Sequence, residues 1–368
     1  MWEDVFSNDW VAASQRFRHL CEKLQDSGIN VKSERLLIGK KGPVEEDLAI
    51  DTCILGVPDC KRLLLSTSGI HGVEGYPGSA IQLHILRDIL EEGLPDGIAV
   101  VFVHSLNPWG MAWLRRVNEN NADLNRNFLP PGEEYSGEPE GYHVVDYLIN
   151  PAIPPKKSEK GFFFKAFRHV LKHGWSKTKQ AIAEGQYTRP ESMQYGGDEL
   201  LKGPSLFLGW LTPMLDSAER VVAIDLHTGL GKFGHDTLLV NQGVKEEKIA
   251  SMRTRYGKRI TPLDADKGVA YRTRGDLHQG LMARWPNIDW TCITQEFGTY
   301  KPFKVLNSLR KENSWTHHGD VEEMHTHWSR LDLLKAFNPK DDDWRGMLLT
   351  RGRILFEQAT EELREGAK

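Results

Sequence analysis

The sequence predicts an α/β fold with parallel strand pairing, and three observations lead to this prediction. Residues 62–68 and 98–104 are apolar runs of the length of buried strands, and residues 78–90 between them show the apolar spacing of an amphipathic helix. A strand, a helix and a second strand at this spacing form a βαβ unit, which requires parallel pairing of its strands. The same alternation returns in the second half of the chain, with apolar strands at residues 221–227 and 290–297.

The remaining elements follow from the same periodicities. Residues 12–25 carry apolar side chains at helical spacing, and Gly28 marks the end of that helix. Further strands are predicted at residues 34–38, 48–55 and 236–240, and further helices at residues 245–256, 277–285 and 344–363.

Prolines and glycines are frequent between residues 129 and 213, and a helical stretch at residues 162–184 interrupts them. Because the apolar content of this region is thin, the sequence predicts an insertion with its own helix rather than an independent domain. A chain of 368 residues could hold about two domains of usual size, but a single α/β domain with an insertion also reaches this length. We therefore predict one domain over residues 1–368 that contains the insertion 129–213.

The composition is that of an ordinary water-soluble globular protein. Hydrophobic residues make up 39% and charged residues 27%, and 47 basic against 51 acidic side chains leave a net charge of −4. These values argue against intrinsic disorder, a collagen-like fibre and a polycationic nucleic-acid-binding protein. No run approaches the roughly 18 apolar residues of a membrane span, so neither a nucleic acid nor a membrane is expected as a partner.

The cysteines and the first residues of the chain indicate the cellular compartment in which the protein is expected. Cys21, Cys53, Cys60 and Cys292 are scattered and form no C-x-x-C pair, which argues against a disulfide scaffold or a cysteine zinc site. The chain begins Met-Trp-Glu-Asp-Val, with early acidic residues and no apolar segment typical of a secretory leader. A reducing cytoplasm is the expected location.

His71 and Glu74 are the first candidates for chemistry, because they lie in a glycine-rich turn directly after the strand at residues 62–68. In parallel sheets ligands bind beyond the carboxyl ends of the strands, and the flanking glycines permit a tight turn that brings an imidazole and a carboxylate together. A catalytic zinc ion typically takes three protein ligands and keeps one position open. A His-x-x-Glu pair alone is also compatible with a loop histidine in a local ion pair.

Two further segments add to this pair. His227 also ends an apolar strand and could supply the third ligand from a neighbouring strand end. The loop over residues 107–128 follows another apolar strand and holds Arg115, Arg116 and Arg126, whose guanidinium forks suit carboxylates and oxyanions. The simpler alternative for these three arginines is a solvated basic surface.

Several motifs occur together in an order that identifies a resemblance. They are His71-Gly-Val-Glu74, Asn107-Pro-x-Gly110, Asp123-Leu-Asn-Arg-Asn-Phe128, His227 and Glu296. Over roughly residues 60–300 the chain resembles the zinc metallocarboxypeptidase superfamily, which includes carboxypeptidase A-like enzymes, murein-peptide amidases and the succinylglutamate desuccinylase and aspartoacylase branch. The resemblance implies a central, mixed and largely parallel twisted sheet with helices on both faces.

The resemblance also implies a role for each matching position near the metal. His71, Glu74 and His227 would bind one Zn²⁺ per chain, and Asp123 would hydrogen-bond His71 and fix its orientation. Glu296 would be the general base and acid that activates zinc-bound water and protonates the leaving nitrogen. The sequence supports this role of Glu296 independently of the resemblance. A carboxylate at the end of an apolar strand is costly to bury unless a cation or a function compensates for the cost. A structural ion pair with an arginine is the alternative for Glu296.

For the substrate, the resemblance implies that Asn125 and Arg126 bind a terminal carboxylate. Arg116 would stabilise the oxyanion of the tetrahedral intermediate, because it lies ten residues before Arg126, as in the murein-amidase branch. Arg115 stays an open alternative for the same role.

Three further features bear on substrate choice. Tyr271 precedes the predicted general base at a distance comparable with that of the mobile tyrosine in carboxypeptidase A-like enzymes, and Tyr300 is also possible. Arg272 or Arg274 could add positive charge to the pocket, although a solvated turn is the simpler alternative. The insertion that begins at Leu129 could cover the site and restrict substrate size.

The implied function is that of a zinc-dependent hydrolase that cleaves an amide bond next to a free carboxylate in a peptide or N-acyl amino acid. Carboxypeptidase action and deacylation of the desuccinylase or aspartoacylase type differ mainly in the pocket, and the motifs do not separate them. An alternative from another class of function is a catalytically silent zinc-fold protein that binds a carboxylated ligand. Such a protein usually lacks a metal ligand or the catalytic glutamate. Here His71, Glu74, His227 and Glu296 are all present. Zinc is the default metal for two histidines and a glutamate, although other divalent ions use the same ligands.

Overall fold

The computed structural model describes residues 5–57, 59–242, 244–263, 272–320 and 325–365. Within these residues eight strands form one sheet: β1 (Val31–Lys41), β2 (Asp47–Leu55), β3 (Arg62–Ser68), β4 (Ala99–His104), β5 (Arg220–Gly229), β6 (Asp236–Val240), β7 (Ile260–Pro262) and β8 (Asp289–Gly298). Their order in the sheet is β1-β2-β4-β3-β5-β8-β6-β7. The predicted α/β fold is confirmed.

Twelve α-helices accompany the sheet in this part of the chain. They are α1 (Trp10–Asp26), α2 (Gly75–Glu92), α3 (Pro108–Ala112), α4 (Tyr142–Ile149), α5 (Lys160–His173), α6 (Trp175–Ala183), α7 (Lys202–Ser217), α8 (Glu246–Tyr256), α9 (Leu277–Arg284), α10 (Pro302–His318), α11 (Trp328–Phe337) and α12 (Asp342–Arg364). Short 3₁₀ turns lie at Gly72–Glu74 and Leu124–Arg126. None of the helices in the described ranges is both long and apolar enough to cross a bilayer.

The centre of the sheet consists of four neighbouring parallel strands, β4, β3, β5 and β8. Strands β3 and β4 flank helix α2 in the chain and pair in parallel, so the predicted βαβ unit is confirmed. The antiparallel pairs β1–β2, β2–β4 and β6–β8 make the sheet mixed. Because β3, β5 and β8 are adjacent and parallel, the segments that follow them meet at one edge of the sheet.

Side chains of the central strands alternate between two apolar layers, as the two-residue period of a strand requires. Leu64, Phe102 and Ile224 pack in one layer, with apolar residues of α2, α8 and α12. Leu63 and Val103 pack in the other, with apolar residues of α7 and α9. Helices therefore cover both faces, as strands that are buried on both sides need.

The region 129–213 contains α4, α5, α6 and the greater part of α7. The single helix predicted at residues 162–184 is wrong, because the chain breaks between α5 and α6 at Gly174, whose φ of +85° lies in the left-handed region. A small separate cluster that includes Tyr142, Phe162 and Ala181 packs against leucines of α10. The division of the chain into one domain with an insertion stays a prediction.

Candidate metal centre

The turn that follows β3 places His71 and Glu74 at the edge of the sheet. It depends on the close approach of the loop after β4, because a Cβ atom on Gly72 would lie 2.0 Å from the backbone carbon of Gly110. The backbone N–H of Gly72 donates to the carbonyl of Arg116 at 3.0 Å. Only glycine fits at residue 72, so the predicted role of glycine in this turn has a physical basis.

His71, Glu74 and His227 converge on one point. The two oxygens of Glu74 lie 2.9 Å from Nδ1 of His71 and 3.1 Å from Nδ1 of His227. One ligand atom from each of the three side chains lies within 4.8 Å of the other two, and all three side chains are buried. The sequence prediction that these residues meet is confirmed.

The outer nitrogen of each imidazole is held by an aspartate. Nε2 of His71 lies 3.0 Å from Asp123, as the resemblance implied. Nε2 of His227 lies 2.6 Å from Asp225, whose other oxygen accepts a hydrogen bond from Thr67 at 2.6 Å. Because the Nε2 atoms face carboxylates, the Nδ1 atoms are the ones left to face a metal ion.

Sequence reasoning missed Asp225. Its signal was present, because residues two apart on a strand share one face, and Asp225 precedes His227 by two. Burial would raise the pKa of the Asp225 carboxyl, but His227 outweighs burial and lowers that pKa. Conversely, burial would lower the pKa of His227, and Asp225 together with Glu74 holds it well above its usual value.

Glu74 is buried among these partners. Burial alone would raise the pKa of its carboxyl, but His71 and His227 outweigh burial and hold that pKa well below its usual range. The backbone N–H of Thr228 also donates to Glu74 at 3.0 Å. The carboxylate is therefore held ionised and oriented between the two imidazoles.

Glu296 lies beside this group on the next strand. It occupies the position on β8 that pairs with His227 on β5, and its Oε1 accepts a hydrogen bond from the backbone N–H of Leu230 at 2.8 Å. Burial, followed by the charge of Glu74, raises the pKa of Glu296 to about 7, although His227 acts in the opposite direction. A carboxyl with a pKa near neutrality can both take up and release a proton at physiological pH.

The two candidate arginines have different surroundings. Arg115 is buried, and its guanidinium donates to Glu312 at 2.6 Å and to Asn121 at 2.8 Å. Arg116 instead donates to Asp123 and, at 3.1 Å, to Gln194. The contacts therefore favour Arg116 over Arg115 for the oxyanion role, which stays a prediction.

Asn125 and Arg126 lie in the 3₁₀ turn after Asp123. Oδ1 of Asn125 accepts a hydrogen bond from the backbone of Leu277 at 2.9 Å. The guanidinium of Arg126 donates to the carbonyl of Ala183 at 2.6 Å and 3.2 Å and to that of Asn125 at 2.6 Å. All of these acceptors are carbonyl oxygens, so within the described residues this guanidinium has no carboxylate partner.

The last residue of α6 and the segment that follows it form a wall behind the Asp123–Phe128 motif. Besides Ala183 and Gln194, it contributes the carbonyl of Tyr195, which accepts the N–H of Asp123 at 2.7 Å. The hydroxyl of Tyr187 donates to the carbonyl of Arg126 at 2.8 Å. These contacts could not be predicted from the sequence, because they depend on how residues 183–195 pack against a remote motif.

The residues predicted to affect substrate choice are placed only in part. Tyr271 lies outside the described residues, so its predicted role is untested. Arg274 stacks on Tyr187 and donates to the carbonyls of Glu134 and Ser136 at 2.8 Å and 2.7 Å. These contacts join Arg274 to residues 134–187. Neither interpretation of the sequence, a positive charge in the pocket or a solvated turn, included such a role.

Comparison with solved structures gives neighbours of low sequence identity. Carboxypeptidase A from Helicoverpa armigera is 12% identical, with a TM-score of 0.46 over 89% of this chain and 73% of that one. A succinylglutamate desuccinylase from Silicibacter sp. is 14% identical, with a TM-score of 0.38 over 79% and 67%. Murein-tripeptide amidase from Escherichia coli O157 is 15% identical, with a TM-score of 0.35 over 84% and 93%. Branches named on the sequence resemblance are thus among the neighbours, but at these scores the likeness assigns no activity to this chain.

Comparison with curated protein sequences finds no match. A family model, by contrast, matches residues 6–351, a range that includes the whole candidate metal centre. The chain therefore belongs to the family described as "Protein of unknown function (DUF2817)".

Proposed function

We propose that this protein is a zinc-dependent hydrolase that cleaves an amide bond next to a free carboxylate. The observation that carries the proposal is the meeting of His71, Glu74 and His227 at one edge of the sheet, with Glu296 at the strand position paired with His227. Three ligands of this kind with a buried acid beside them are typical of a hydrolytic metal site.

The donor atoms fit zinc. Two imidazole Nδ1 atoms and one carboxylate are ligands that zinc accepts, and three protein ligands leave a position for water or substrate. Both imidazoles are fixed from behind by aspartates, which is the usual support for a metal-binding histidine. When bound, zinc would supply Lewis acidity, which polarises a carbonyl and lowers the pKa of water.

The chain's own residues would handle the proton and the developing charge. Glu296 would accept a proton from the attacking water at its carboxylate and pass that proton to the leaving nitrogen. In the metal-free site, burial and the charge of Glu74 raise the pKa of Glu296 to about 7, which is in keeping with a group that exchanges protons. Arg116, held by Asp123 and Gln194, would stabilise the oxyanion that forms on the attacked carbonyl.

The positive charge of Arg126 supports a substrate with a free carboxylate. Its guanidinium donates to neutral carbonyl oxygens and forms no direct ion pair with a carboxylate among the described residues, although its charge helps to lower the pKa of Asp123. A planar guanidinium binds carboxylates well, and Asn125 beside it offers an amide group. The same charge suits a peptide and an N-acyl amino acid equally.

A hydrolysis screen with the zinc-loaded full chain tests the proposal. The substrates are short peptides with a free C-terminus, the same peptides with an amidated C-terminus, and N-acetyl and N-succinyl amino acids. We expect hydrolysis of carboxylate-bearing substrates and little of the amidated peptides. Cleavage of N-acyl amino acids alone would replace the peptidase version by the deacylase, and equal cleavage of amidated peptides would contradict the role of the carboxylate.

A further inference from the structure

The insertion carries an unusual concentration of exposed apolar side chains. In the described part of the chain, 14 large hydrophobic residues are exposed, and seven of them lie between residues 147 and 175. Five of these seven belong to α5 and the start of α6: Phe163, Phe164, Phe167, Leu171 and Trp175, with exposed fractions of 52–70%. Single exposed apolar residues are ordinary, but a group of this size marks an interaction surface.

The exposed residues of α5 share one face of the helix. At about 100° per residue, Phe163, Phe164, Phe167 and Leu171 fall within an arc of about 100°. The inward face is a different one, where Phe162 packs into the small apolar cluster of the insertion. Phe303 at the start of α10 extends the exposed face, because its ring contacts that of Phe163 with a centroid distance of 5.3 Å. The exposed apolar face is therefore additional to the face that holds α5 on the protein.

The charge of the same segment is strongly one-sided. Residues 160–183 contain six Lys and Arg residues and no Asp or Glu, whereas the other 41 basic residues of the chain are outnumbered by 51 acidic ones. Lys165, Arg168 and Lys172 are exposed and, by the same helical geometry, lie together on one side of the apolar arc, about 40–100° beyond its edge at Phe164. The guanidinium carbon of Arg168 lies 5.8 Å from the ring centroid of Phe164.

We propose that α5 and the start of α6 dock this protein onto an anionic phospholipid membrane. Phenylalanine and leucine side chains on one face of a helix, with lysine and arginine on the same exposed side, are the composition of helices that lie in the plane of a bilayer surface, and exposed Trp175 at the start of α6 adds a residue type typical of that interface. Anionic headgroups would attract the basic residues while the apolar face enters the acyl boundary. The sequence led us to expect no membrane partner because it lacks a spanning segment, but a surface helix needs no such segment.

Helix α6 connects the proposed docking segment to the surroundings of the candidate metal centre. Helix α6 ends at Ala183, and the carbonyl of Ala183 accepts a hydrogen bond from the guanidinium of Arg126. The docking segment thus continues directly into the wall behind the Asp123–Phe128 motif. The proposal does not depend on hydrolase activity, since it rests only on the exposed face and its charge.

Sedimentation with large unilamellar vesicles tests the proposal. The full chain is mixed with vesicles of phosphatidylcholine alone or of equal parts phosphatidylcholine and phosphatidylglycerol. We expect the protein to pellet with the anionic vesicles and to stay in solution with the neutral ones. Added salt should release it, because the attraction to anionic headgroups is screened.

Two triple variants separate the apolar and the charged contributions. Phe164→Ser, Phe167→Ser and Leu171→Ser together should weaken vesicle binding by about tenfold or more, because they remove the inserted face. Lys165→Glu, Arg168→Glu and Lys172→Glu together should weaken it at least as much. A matched control reverses three exposed lysines elsewhere, Lys40→Glu, Lys335→Glu and Lys340→Glu, and should bind the vesicles much more tightly than the helix variants. Equal thermal unfolding midpoints would show that the variants fold.

Several results would overturn the proposal. One is that the wild-type chain fails to pellet with anionic vesicles; another is that it pellets equally with neutral ones. A third is self-association by light scattering that the serine variant abolishes, without vesicle binding, because that would assign the face to a second copy of the chain.

Discussion

Asp225 and His227 lie two residues apart on β5, and the Asp225 carboxylate lies 2.6 Å from Nε2 of the His227 imidazole. On the neighbouring loop, Asp123 and His71 form the equivalent contact at 3.0 Å. Both histidines of the candidate metal centre are therefore oriented by a buried carboxylate, one from a remote motif and one from the same strand.

Asp225→Asn should weaken zinc binding by about 10- to 100-fold, because it removes the charge that orients and polarises His227. The measurement is zinc affinity by competition with a chromogenic chelator. Thr67→Val is the matched control, since it removes the hydrogen bond to the other oxygen of Asp225 and keeps the charge. An unchanged zinc affinity in Asp225→Asn would show that the contact is only structural.

His71→Ala should reduce the zinc content of the purified protein from about one ion per chain to nearly none, because two remaining ligands seldom hold zinc tightly. Metal analysis by mass spectrometry measures this directly. His143→Ala, which alters an exposed histidine of α4, should keep the full content. Zinc retained by His71→Ala would contradict the ligand set.

Glu296→Gln should keep zinc and lose about two to four orders of magnitude in hydrolysis rate, because glutamine cannot carry the proton. Its amide oxygen can still accept the hydrogen bond from Leu230. The measurement is kcat on the substrate found in the screen, together with zinc content. An unaltered kcat would reject the role of Glu296 and would favour a silent binding protein if the wild type were also inactive.

Arg115→Met should lower the free energy of unfolding by about 3 kcal/mol, because it leaves the buried Glu312 carboxylate without its main partner. Arg115 is the largest influence that lowers the pKa of Glu312 against the effect of burial. Chemical denaturation measures the loss, and Arg353→Met, which removes partly exposed ion pairs to Asp88, Glu92 and Glu357, should cost clearly less. If Arg115→Met were fully stable and inactive, Arg115 rather than Arg116 would be the oxyanion arginine.

The buried position of His104 predicts that the free energy of unfolding decreases in acid. Its ring is buried, stacks on Phe17 and contacts Ser79 at 2.8 Å. Burial lowers the pKa of His104 to about 4. Above the ordinary histidine pKa of about 6.5 the ring is neutral in both the folded and unfolded chain, so its contribution is fully present there. As the pH falls from about 6.5 to about 4 the unfolded chain takes up the proton first, and up to about 3 kcal/mol is lost.

The measurement is the thermal unfolding midpoint between pH 7.5 and 4.5. His104→Gln does not titrate, so its midpoint should fall less over this interval than that of the wild type. Parallel pH profiles for the two proteins would contradict the assignment.

The sequence predicted well those features that depend on local pattern and strand order. Residues 62–68 and 290–297 could be recognised as buried strands from their apolar content, and parallel pairing then brought the residues after them to one edge. Parallel pairing made it reasonable to bring His71 and His227 together, and the resemblance to the zinc metallocarboxypeptidase superfamily added Glu296 to this group. The three-residue strand β7 was missed because so short a segment has no measurable period.

Contacts that depend on packing between remote segments could not be predicted. Arg115 and Arg116 are adjacent and chemically identical, and only the position of α10 places Glu312 beside the first of them. The helix break at Gly174 was missed because the helical spacing of apolar residues continues across it. Likewise, the attachment of Arg126 and Arg274 to the insertion follows from its fold rather than from a motif.

The carbonyl groups of Ala183 and Tyr195 have a practical consequence for anyone who wishes to trim this protein. Excising residues 129–213 to obtain a minimal version would remove the Ala183 carbonyl, one of the two acceptors of the Arg126 guanidinium, and the Tyr195 carbonyl that accepts the backbone N–H of Asp123. A shortened variant would thus damage the segment that aligns the His71 imidazole, even though every motif residue remained in its sequence. Residues 183–195 therefore support the Asp123–Phe128 hexapeptide by hydrogen bonds, and the hexapeptide would not keep its conformation without them.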